Sequence, residues 1–78
     1  MDWLDDYARA LGVEPIDEDD RRVLLKLARE VAHRSERVFA PLSTYLAGRF
    51  AAQAGRDPAA ALREALRTAT DLLPPADG

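Results

Sequence analysis

Cysteine is absent from this chain, and histidine and tryptophan occur once each, as His33 and Trp3. Without cysteine there is no disulfide framework and no thiolate chemistry. One histidine alone cannot supply the four N or S ligands of a structural zinc. The acidic run Asp17-Glu18-Asp19-Asp20 lacks the glycine and the alternating spacing of a calcium loop. No metal or cofactor is therefore expected. No stretch approaches the roughly 20 apolar residues that span a bilayer, so no membrane contact is expected. Positive charge is also short, with 11 Lys and Arg against 14 Asp and Glu, a net charge of −3. That balance argues against the basic footprint of a general nucleic-acid binder. The start Met1-Asp2-Trp3-Leu4-Asp5-Asp6 is acidic where a signal peptide would be basic, which makes the cytoplasm the expected location. Glycine loops of the Walker or dinucleotide kind and the paired-histidine protease motif are missing too.

What is present is helical. With 78 residues the chain can form one domain, burying roughly 60% of its unfolded surface. A ligand would then sit in a surface groove or a dimer seam. The expected fold is all-α, a small antiparallel bundle of four helices at about residues 2–11, 17–39, 41–54 and 57–73, with a tail at 74–78. Asp2 can cap the first helix and Gly12 can stop it. Trp3, Leu4, Tyr7, Ala8 and Leu11 form its apolar face. Pro15 biases Glu14 towards extended backbone, so Val13 to Ile16 reads as a linker tucked onto the core. In the second helix, the acids of the first turn suit the positive end of the dipole. Val23, Leu24, Leu27, Ala28, Val31, Ser35 and Val38 form its expected buried stripe. Arg22, Lys26, Arg29, His33 and Arg37 make a basic ridge on the other side, which is either a solvated face or a contact surface. Asp57, Pro58 and Pro74-Pro75 bracket the fourth helix.

The third helix is expected to open at Pro41, which lacks an N–H and ends the helix before it. Its large apolar side is Leu42, Tyr45, Leu46 and Phe50. Ala47, Gly48, Ala51 and Ala52 form a flat patch. That patch packs within the bundle or forms a seam with a second copy or a partner helix. Gly48 inside a helix costs about 1 kcal/mol relative to alanine, which a close helix approach would explain.

The joint between the second and third helices is the candidate site. There the free amides of an opening turn, the hydroxyls of Ser43 and Thr44, and the cations His33 and Arg37 could together hold a phosphate or carboxylate. The structural alternative is that His33 and Arg37 bond to turn carbonyls and to Glu36. Catalysis with His33 as base and Ser43 or Thr44 as nucleophile lacks the orienting group and oxyanion hole such chemistry requires. No enzyme is expected.

The run from Ala32 to Gly48, AHRSERVFAPLSTYLAG, resembles a small bacterial domain of unassigned function. That domain occurs alone or fused behind MobA-type molybdenum cofactor guanylyltransferases, and is often named a molybdopterin-guanine dinucleotide biosynthesis protein. The matching positions are Ala32-His33, Arg37, Ala40-Pro41-Leu42-Ser43-Thr44, Tyr45, Leu46 and Gly48. Trp3 to Val13, WLDDYARALGV, fits the family's opening aromatic helix and Leu-Gly turn. Val38 departs from the pattern, where a proline often follows the arginine. The guanylyltransferase's large α/β domain and its Gly-rich loop are lacking here. The resemblance therefore implies a non-catalytic accessory role in molybdenum cofactor biosynthesis. The partner it implies is such a guanylyltransferase or its client protein. A homodimer or a plain interaction module is the other expectation.

Overall fold

Short-range capping chemistry fixes most of the helix ends. A computed structural model describes residues 2–75. Its elements are α1 (Trp3–Leu11), α2 (Glu18–Arg34), α3 (Phe39–Gln53) and α4 (Pro58–Leu72). The expected tail residues 76–78 lie outside the described part. At the start of α1, Asp2 Oδ1 accepts the Asp5 N–H at 3.0 Å. At the start of α2, Asp17 Oδ1 accepts the Asp20 N–H at 2.8 Å. Each bond satisfies one of the amides a helix start leaves free. Gly12 closes α1 at φ 78, a left-handed conformation that glycine adopts without a Cβ penalty. Asp57 caps α4 through the Ala59 N–H, with Pro58 at the first helical position.

The middle of the chain differs from expectation. The second helix ends at Arg34 rather than 39, and the third begins at Phe39 rather than 41. Ser35 leaves helical geometry at φ −142, ψ −124. Pro41 lies two residues inside α3, still within its first turn. A missing N–H costs nothing there, because the first-turn amides have no partner inside the helix. Pro41 is thus compatible with a break placed several residues ahead of it. As a result Ser35 and Val38, expected in the buried stripe, are both exposed.

The packed part is made by α2, α3 and α4, each touching the other two. Leu27 and Val31 of α2, Ala47 and Ala51 of α3, and Ala61 and Leu62 of α4 form its centre. Arg34, at the C-terminal end of α2, bonds to backbone at the C-terminal end of α4. Those two helices therefore run in the same direction, with α3 running back between them. Half of the central residues are alanines, which lets the helix axes approach closely. The same fact decides the orientation of α3. Its small side faces inward, and its large side chains are left outside.

The first helix stands apart from this packing: its backbone does not come close to α2, α3 or α4, and its one buried residue, Ala8, lies outside the central cluster. Val13, expected on the core, is exposed, while Ile16 is half-buried. The molecule is correspondingly long, 41 × 27 × 18 Å. No helix among the described residues is long and apolar enough to cross a membrane.

Candidate functional site

The α2–α3 joint is built by backbone rather than by its cations. The Ser35 N–H donates to Val31 O at 2.9 Å and closes α2. The Phe39 N–H donates to Glu36 O at 3.0 Å, and the Ala40 N–H to Arg37 O at 3.1 Å. With Pro41 next, the first three residues of α3 leave no free amide. The hydroxyls are committed too. Ser43 Oγ donates to Ala40 O at 2.7 Å, and Thr44 Oγ1 to Pro41 O at 2.8 Å. His33 sits on the last turn of α2 and Arg37 in the connection, and both are exposed. The early end of α2 removes the helical spacing that was expected to align them. An anion at this joint would have only these two exposed side chains to hold it.

The cation that grips this end of the molecule is Arg34, which the sequence analysis did not single out. Its Nε donates to Pro74 O at 2.9 Å, and its Nη2 to Thr70 O and Leu73 O, both at 3.2 Å. Nη1 donates to Glu30 Oε1 at 3.3 Å. One guanidinium thus satisfies three carbonyls at the end of α4, where the helix dipole also favours positive charge. Those acceptors lie 36 to 40 residues away, so no local motif announces them.

A second arginine, Arg21, works at the other end of α2. Its Nη1 meets Asp2 Oδ2 at 2.6 Å, and its Nη2 meets Asp2 Oδ1 at 3.1 Å and Asp5 Oδ1 at 3.0 Å. Its Nε donates to Ile16 O at 3.3 Å. This cluster ties α1 to α2. The hydrogen bonds from Arg21 hold the Asp2 carboxyl well below the usual carboxylate range, helped by the Asp5 N–H. Arg21 is in turn pushed further up by Asp2. Asp20, one residue before, shifts the other way. Burial raises it, with the charge of Asp17 adding to the effect and Arg63 opposing it.

The flat patch divides between two surroundings. Ala47 and Ala51 are buried in the packed centre, while Gly48 and Ala52 are exposed. A Cβ built on Gly48 meets nothing within 4 Å. No close approach inside the chain therefore accounts for this glycine, and a partner would meet only Gly48 and Ala52 of the four.

The outer side of α3 is apolar and exposed. Leu42, Tyr45 and Leu46 are 57–58% exposed, with Phe39 and Phe50 beside them on the outer side of α3. Leu46 and Phe50 also line a groove of about 310 Å³ between α3 and α4, opposite Ala65, Ala69 and Leu72. Arg49 lies over the Tyr45 ring at 4.8 Å, and Arg56 over Phe50 at 5.7 Å. On α1, Trp3 is 71% exposed and stacks on Tyr7 at 5.0 Å, with Leu11 exposed one turn further on. Monomeric proteins seldom expose large contiguous apolar surface. No group of three or more His, Asp or Glu among the described residues sits close enough to hold a metal.

Fold and surface together define a small all-α domain that presents an uncovered apolar helix face. The chain belongs to the family described as a domain of unknown function (DUF6457), which it matches over residues 1–77. No curated protein and no solved structure matches it.

Proposed function

We propose that this domain is a non-catalytic protein-interaction module that docks another chain on the outer face of α3 and the groove beside α4. The observation that carries the reading is the orientation of α3. Its alanines fill the centre while Leu42, Tyr45 and Leu46 stand in water. Full burial of such side chains contributes roughly 1.5–3 kcal/mol each, and the described residues leave more than half of each uncovered. Sedimentation of the wild type and a Leu46→Glu variant tests the reading, each alone and mixed with a purified molybdenum cofactor guanylyltransferase. The wild type associates with at least one chain, and the variant loses that association while keeping its helical circular dichroism. A folded variant that keeps every association of the wild type would overturn the reading.

A second reading places the module in molybdenum cofactor biosynthesis, as an accessory to a guanylyltransferase or its client. Its support is positional. The run Ala32 to Gly48 carries the resemblance to the domain found with those enzymes, and the same run supplies Phe39, Leu42, Tyr45 and Leu46 to the outer face. His33 and Arg37 are exposed just ahead of that face, where Arg37 offers a positive charge to an acidic partner.

A further inference from the structure

We infer that the occupant of the α3 face is α1 of a second copy of this chain, in a reciprocal two-fold dimer. The inference rests on reading that face as a docking surface. Two apolar helix faces are uncovered in one molecule, and they are of complementary kinds. On α3 and α4 the surface is a groove with apolar walls. On α1 it is a ridge, with Trp3, Tyr7 and Leu11 in line along one side of the helix. A nine-residue helix has little stability of its own in water and normally depends on packing. In this chain Ala8 is the one buried residue of α1.

The Arg21 cluster gives α1 a position without covering its apolar side. Asp2 and Asp5 are engaged by Arg21, which fastens the N-terminal end of α1 to α2 and leaves Trp3 and Tyr7 facing solvent. Charge agrees with the pairing. Asp6 stays exposed on α1 with only a long contact to Arg9, whereas α3 contains no acid and carries Arg49 beside Tyr45. Area agrees as well. Large side chains of these types bury ~150–250 Å² each. At the exposures seen, the two faces of one chain offer on the order of 1,000 Å². In a two-fold arrangement each copy gives a ridge and receives one, so the contact is counted twice. That meets the size of a specific, stable interface, whereas either face alone falls short.

Trp3 is the single tryptophan, so the wild-type protein reports its own α1. Sedimentation equilibrium and Trp3 emission are read together over a dilution series through the micromolar range. The expected result is a monomer–dimer equilibrium, with Trp3 emission moving to shorter wavelength as the dimer forms. Two variants identify the contact: Tyr7→Ser with Leu11→Ser disables the ridge, and Leu46→Glu disables the groove. Each alone is expected to be monomeric, with Trp3 emission fixed at long wavelength. Mixed, they regain one ridge-in-groove seat, half of the wild-type contact, so a weaker heterodimer reappears at the highest concentrations with part of the blue shift.

A wild type that stays monomeric at all concentrations overturns the inference, as does blue-shifted emission that does not change on dilution, which means α1 closes on its own chain. A dimer that survives in the ridge variant also overturns it, because α3 then packs on α3. In those cases the docking reading still stands if Leu46→Glu abolishes binding to a guanylyltransferase. If Leu46→Glu changes no association of any kind, both fall.

Discussion

Two arginines at opposite ends of α2 fasten two different helices, and the fastenings differ in what lies beneath them. Arg34 reaches the end of α4, which is already packed against α2 through Leu27, Val31, Ala61 and Leu62. Arg21 reaches the start of α1, whose one buried residue, Ala8, lies outside the central cluster. The bonds themselves are similar in number and length. A charged hydrogen-bond cluster over a dry seam closes a structure that apolar burial has already positioned. The same cluster without a seam sets a direction and leaves the element free to meet something else. The comparison teaches that an ion pair places a helix, while burial decides whether it belongs to the core.

Arg34→Ala should produce the largest change. It leaves the carbonyls of Thr70, Leu73 and Pro74 without their donor and removes a side chain that is only 15% exposed. Hydrogen bonds to a charged group contribute about 1.5–3 kcal/mol net each, and less where water reaches the freed carbonyls, so a loss of about 2 kcal/mol is expected. Thermal or urea unfolding measures it. An unchanged midpoint would mean that packing alone secures the end of α4.

Arg21→Ala should have a smaller and more local effect. Amide hydrogen exchange in α1 becomes fast, while protection in α2, α3 and α4 and the main unfolding midpoint stay in place. If the midpoint falls as far as with Arg34→Ala, the distinction between the two arginines fails. The pH dependence has a defined sign. Because the folded protein holds the Asp2 carboxyl below its ordinary 3.8, the tether is fully present above that value. It is lost progressively as pH falls below 3.8 and through the lowered folded value. Protection of α1 in the wild type should therefore persist through mildly acid solution.

The smallest effect is expected from Asp20→Asn, beside the tether. Burial raises the Asp20 carboxyl above 3.8, so its charge opposes folding at neutral pH. The variant should unfold at a slightly higher temperature near neutrality. The difference should vanish as pH drops below 3.8, where the carboxyl is neutral in both states. A variant less stable at neutral pH would show that the favourable helix-dipole position of Asp20 outweighs its burial.

Much of the fold was legible because helix ends are written locally. Asp2 with Gly12, Asp17, and Asp57 with Pro58 each signal a boundary within a few residues, and the structure places the ends there within a residue. Pro41 misled for a physical reason. Proline is excluded from helix interiors but tolerated throughout the first turn, so it limits where a helix starts without naming the residue. Val38 caps α3 with no side-chain bond, which left nothing else to read. The apolar faces were legible as periodicity. Their exposure was not, because spacing shows that a face exists and says nothing about what covers it. Of the anion-site residues, Ser43 and Thr44 donate back to their own helix while His33 and Arg37 stand exposed, an arrangement that residue types alone do not reveal. The grip of Arg34 on α4 is a contact across 40 residues and left no trace in local pattern.

Apart from Glu30, the acceptors of Arg34 are main-chain oxygens of Thr70, Leu73 and Pro74. Such a clasp is indifferent to spelling and strict about length. The side chains at those three positions can drift through many identities without loosening it, because every residue brings the same carbonyl. Removing or adding a single residue in α4 turns the helix by about 100° and shifts its end by about 1.5 Å, and the clasp closes on nothing. Sequences built on this plan should therefore vary freely in the letters near the end of α4 while keeping constant the number of residues that lead there.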